Sequence, residues 1–284
     1  MQKAEKKQVK ALIDLINRET GPQAALLRGE LARIMQENPS VLHDIIEKDF
    51  HSAVPASLVH AMEEACWDSL QKNVHLFAQK INPNLEEGLA IVTRFVNPAV
   101  ALEEISQDLD TLARSLRPLL LNCNGTAEVL DIMSRFFFRV QGFTILPSTK
   151  DIKEVSFGRF LEKKSGSALC LSCLYALCAE RFGLDGGVVD LAGRLLAVIF
   201  PTDGSEPVFV DPLAQGKQLL LQDCKEYIDS RNLQWSENFI TPLSSHALMR
   251  RFLGNMIFIL NKLRDERRLA YLRRYMDILN NSYQ

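Results

Sequence analysis

The sequence predicts an α+β protein in which helix dominates. Three observations lead there. Apolar residues recur at helical spacing throughout the first half of the chain. The period changes to two between Gly187 and Pro212, where Val, Ile and Leu concentrate. Helical spacing then returns and lasts to the end. Helices, a few strands, then helices again is the order of an α+β fold, whereas regular alternation would indicate a parallel sheet.

The opening helices come in short pairs. "AEKKQVKALIDLINRE" puts Val9, Leu12, Ile13 and Ile16 on one face. "GPQAALLRGELARIMQE" carries Pro22 near its first turn, where a missing N–H costs little. Asn38-Pro39 stops one helix and starts the next. "VPASLVHAMEEACWDSLQKNVHLFAQKI" reads as two helical stretches broken near Trp67, and Pro83 and Pro98 frame another helix. The succession suggests helical-repeat packing without a strict period. "AVALEEISQDLDTLARSLRPLL" is long and amphipathic, with Leu102, Ile105, Leu109, Leu112 and Leu116 as its stripe. "GTAEVLDIMSRFFFRVQGF" has Thr126 as its cap and Phe136 to Phe138 as core. An irregular stretch, "TILPSTKDIKE", follows.

A helix starts near Ser167 and ends before Gly183. "GVVDLAG", "RLLAVIF" and "EPVFVDP" are strands of a small antiparallel meander, with Asp203-Gly204 at a hairpin tip. "QGKQLLLQDCKEYIDSRN" reads as helix. Two closing helices meet near Asp265. Their Arg264, Arg267, Arg268, Arg273 and Arg274 form a solvated face balanced by Asp265, Glu266 and Asp277. The expected division is a helical-repeat-like region over 1–96, a core over 97–232 and a helix pair over 233–284.

Composition narrows the function classes. The net charge is −2, so no basic excess points to nucleic acid. No apolar run approaches the roughly 18 residues of a membrane span. "MQKAEKKQVK" lacks the apolar middle of a secretory signal. The six cysteines are therefore expected as reduced thiols in the cytoplasm. No P-loop, dinucleotide fingerprint or zincin motif occurs, so no cofactor is expected.

Cys170, Cys173 and Cys178 crowd into one helix, and four readings compete. With Leu174 and Leu177 they share a helical face, which suits core packing for Cys173 and Cys178. A zinc site lacks ligands, because no His lies near: His43, His51, His60 and His75 belong to the N-terminal part. A redox pair of Cys170 and Cys173 lacks the preceding strand of a thioredoxin-like motif. A nucleophile reading concerns Cys170 alone, at a helix N-terminus, where the dipole favours a thiolate. It needs a base, usually a His oriented by a carboxylate.

"FLEKKSGSALCLSCLYALCAERFGL", "VVDLAGRLLAV" and "VFVDPLAQGKQL", in that order and spacing, resemble the bacterial SirB-type transglutaminase-like proteins. The resemblance extends to the helical prefix and to a closing helix pair of tetratricopeptide type. It implies a papain-like core: a buried cysteine helix against a small antiparallel sheet, flanked by helical segments. Active members of that superfamily use Cys, His and Asp. Cys170 falls at the start of the family's helix, where this group usually has Ser. Asp211 matches the carboxylate and Gly193 the turn glycine. Arg194 falls where the pattern has His, Ala192 replaces the turn Pro, and Ala168 replaces the Pro of the helix start.

The resemblance thus implies that Cys170 faces the strand carrying Arg194 and lies near Asp211, with Arg194 paired to that carboxylate. Arginine stays protonated and cannot serve as a general base. Two functions follow. One is a non-catalytic module that binds a protein partner. The other is a cysteine acyl-transfer enzyme (protease, amidase or transglutaminase) that takes its base from outside the pattern. His246 is the candidate for that base.

Overall fold

A computed structural model describes residues 2–281 apart from 17, 20, 38–55, 99 and 147. The helix restart expected at Asn38-Pro39 lies outside the described residues. The fold is α+β and mostly helical. The chain divides into two compact units, one from residues 1–104 and 249–284, the other from residues 105–248. Helices from both ends of the sequence therefore meet in the first unit.

That unit contains α1 (Gln2–Ile16), α2 (Pro22–Glu37), α3 (Ala56–Gln79) and α4 (Leu85–Val96). α11 (Glu266–Asn281) joins them, with the part of α10 (Ser245–Leu263) that starts at Met249. α3 runs unbroken through Trp67, against expectation. No Gly or Pro interrupts it, and Trp67 is fully buried. The Trp67 indole N–H donates to the Phe95 carbonyl at 2.8 Å, and its ring stacks on Phe95 at 4.9 Å. The Tyr275 hydroxyl donates to the Trp67 carbonyl at 2.5 Å. Trp67 thus ties α4 and α11 to α3 by both packing and hydrogen bonds. Arg267 and Arg268 both pair with the nearly buried Glu63, so two of the expected solvated arginines are structural.

The second unit is built around one helix. Its earlier elements are α5 (Glu104–Leu116), α6 (Thr126–Arg135), β1 (Thr144–Ile145), α7 (Phe157–Lys163) and β2 (Ser165–Gly166). α5 buries Ile105, Leu109, Ala113 and Leu116, while Leu102 precedes it. Gly125 rather than Thr126 occupies the cap of α6; the Glu128 carboxylate accepts the Asn124 N–H at 2.9 Å there. α6 widens into a π turn over Phe136–Val140 that buries Phe136 and Phe137. β1 and β2 form a short parallel pair, so the stretch read as irregular contains a strand.

α8 (Ala168–Glu180) is capped by Ser167 and buried continuously from Leu169 to Ala179. The cysteine stripe is thus part of a helix covered all round, as its mostly apolar sequence favours. Beside it lies an antiparallel meander in the order β3 (Asp185–Leu191), β4 (Arg194–Phe200), β5 (Val208–Asp211), β6 (Lys217–Leu219). β6 corrects the sequence reading, which began a helix there. Gln215 and Gly216 take positive φ (54° and 81°) and fold the chain back on β5. The helix, α9 (Leu221–Ser230), starts only afterwards.

The sheet has two distinct faces. Directly opposed residues share a face, and the face alternates along each strand. Val189, Leu191, Leu196, Val198, Phe209 and Leu219 form one cluster with Cys224 and Ile228 of α9. The opposite face meets α8: a Cβ added to Gly186 would lie 2.6 Å from Ile199 and 3.9 Å from the Ala176 backbone. The outer edge of β3 is partly covered, because the Leu243 N–H donates to the Val188 carbonyl at 2.8 Å. The neighbouring Pro242 packs over Gly187. A proline beside an edge strand discourages further pairing.

The β3–β4 turn carries strain. Ala192 and Gly193 have φ of 50° and 91°, a two-residue hairpin loop that favours Asn-Gly. Ala192→Asn is expected to raise unfolding stability by about 0.5–1 kcal/mol, read by urea denaturation. Gly216→Ala should lower it by roughly 2–4 kcal/mol, from strain at positive φ and overlap with Ser134 and Tyr175.

Candidate functional site

Cys170 lies in the first turn of α8, and the local sequence explains its setting. Ser167 takes extended backbone and its hydroxyl accepts the Cys170 N–H at 3.3 Å. The same hydroxyl donates to the Cys170 sulfur at 3.5 Å. The thiol in turn donates to the Val155 carbonyl at 4.0 Å. Val155 ends a short turn, Ile152–Val155, that Asp151 caps by accepting the Lys153 N–H. Cys170 is fully buried. Burial pushes its thiol up to about 11, outweighing the hydrogen bonds from Ser167 and the backbone. Cys173, one turn on, is raised well above the ordinary range by burial and then by Cys170.

Arg194 and Asp211 form a separate centre. Asp211 ends β5 and is fully buried. One carboxylate oxygen accepts the Leu213 N–H at 2.9 Å, and the other pairs with the Arg194 guanidinium. Arg194 opens β4 and keeps 27% of its side chain exposed, so one end of the pair reaches water. Its guanidinium stacks over the Tyr227 ring at 5.1 Å. Arg231 stacks on the same ring at 5.2 Å and donates to its hydroxyl at 2.9 Å.

The sheet keeps these two centres apart. Arg194 is directly opposite Leu191, and Asp211 shares parity with Phe209, so both point to the face that α9 covers. α8, which carries Cys170, packs on the other face. The structure pairs Arg194 with Asp211, while the hydrogen bonds at the Cys170 sulfur run to Ser167 and Val155. His246 occupies the first turn of α10, not a loop, and is buried. Among the described residues, neither Arg194 nor Asp211 hydrogen-bonds the Cys170 sulfur.

The cysteine that feels Arg194 is Cys224. Burial and Asp223 push its thiol up to about 11, and Arg194 pulls in the opposite direction. Sequence reading passed over Cys224 and Tyr227. The available signal was the position of α9 directly after the strand pair that bears Asp211.

Chemically, the site offers a neutral buried thiol and an internally satisfied ion pair. Burial pushes the Cys170 thiol up to about 11, which favours the neutral thiol near pH 7. Among the described residues, no disulfide joins any of the six cysteines. Among the described residues, no three of His, Cys, Asp and Glu gather as metal ligands do, and no helix is long and apolar enough to cross a membrane.

Arg194→Met is expected to cost about 2–4 kcal/mol of unfolding stability, because it strips the buried Asp211 carboxylate of its counterion. Equilibrium unfolding measures this, and a loss below about 0.5 kcal/mol, the size of an exposed pair, would contradict the assignment.

A family model described as the transglutaminase-like superfamily matches residues 103–254, just over half of the chain, including the whole second unit. No curated protein and no solved structure matches the chain. The chain belongs to the transglutaminase-like superfamily.

Proposed function

We propose that this chain is a non-catalytic, SirB-type member of the transglutaminase-like superfamily. On this reading it works in the reducing cytoplasm as an interaction or regulatory module. A protein partner is its ligand, and the helical regions flanking the core supply the binding surfaces. One observation carries the reading. The Cys170 thiol is buried, which raises its pKa, while Arg194 and Asp211 share strand parity with the residues that face α9.

Acyl transfer by cysteine needs a thiolate at the carbonyl carbon and an acid to protonate the leaving group. Among the described residues, the Cys170 sulfur hydrogen-bonds the Ser167 hydroxyl and the Val155 carbonyl. Neither takes a proton near neutral pH. Arg194 cannot take one either. Restoring Arg194→His would place an imidazole on the α9 face, away from the thiol. Losing one member of a catalytic triad typically removes several orders of magnitude of rate.

The test is labelling with a thiol-directed activity probe, comparing wild type with Cys170→Ala and His246→Ala. Cys123, which is partly exposed, should label first. Cys170 should label slowly, at a rate indifferent to His246→Ala, with no Cys170-dependent hydrolysis or amide transfer. Fast labelling of Cys170 near pH 7 that disappears in His246→Ala would reverse the conclusion and favour the enzyme.

A further inference from the structure

We draw no further inference here: the strongest candidate, the side-chain cluster of Arg194, Tyr227, Arg231 and Cys224 beneath α9, satisfies its buried carboxylate from within, and nothing in the structure shows a ligand for it.

Discussion

The pleat of a β-strand sends alternate residues to opposite faces, and the second unit depends on that constraint. Its sheet is sandwiched between α8 on one side and α9 on the other. Leu195, Ala197 and Ile199 alternate with Leu196, Val198 and Phe200, so β4 meets two apolar partners at once. Arg194 takes the parity of Leu196. Once the register of β4 against β3 is set, Arg194 must emerge on the α9 side. Moving it to the cysteine side would require a one-residue slip, which would turn every residue of the strand over. Burial of both faces makes that slip costly.

α8 is held by hydrogen bonds as well as by packing. Beyond its apolar contacts, Tyr175 donates to the Ser134 hydroxyl at 2.8 Å. That hydroxyl shares its proton between the Leu130 carbonyl at 2.8 Å and the Gly216 carbonyl at 3.1 Å. A fully buried network of this kind joins α6, α8 and the β5–β6 turn. Gly216 leaves just enough room for it, since a side chain there would occupy the space of both hydroxyls. The turn after Asp211 is therefore anchored to the cysteine helix, while the Asp211 carboxylate itself points to the opposite face. Proximity along the backbone does not make a shared site.

Much of the fold was legible from particular residues. Ser167 announced the start of α8, Asp203-Gly204 the hairpin, and the break at Asp265 the closing helix pair. β6 escaped because "KQLLL" suits helix as well as strand, and the decisive signal was the pair of positive φ angles at Gln215 and Gly216. The break inferred at Trp67 failed because an aromatic residue does not end a helix without Gly or Pro. The site was less legible. The family resemblance implied that Cys170, Arg194 and Asp211 face one another. Which face each would occupy could not be read, because β4 and β5 are apolar on both parities and lack the alternation that marks a core face.

On the proposed reading, Cys170 is an isolated, neutral thiol. The Cβ carbon-13 chemical shift of Cys170, followed against pH in the intact protein, tests it most directly. The expected result is a thiol shift that stays constant from pH 6 to about pH 9 and is the same in Arg194→Met and His246→Ala. A thiolate shift near pH 7, or a titration that moves when either side chain is replaced, would contradict it.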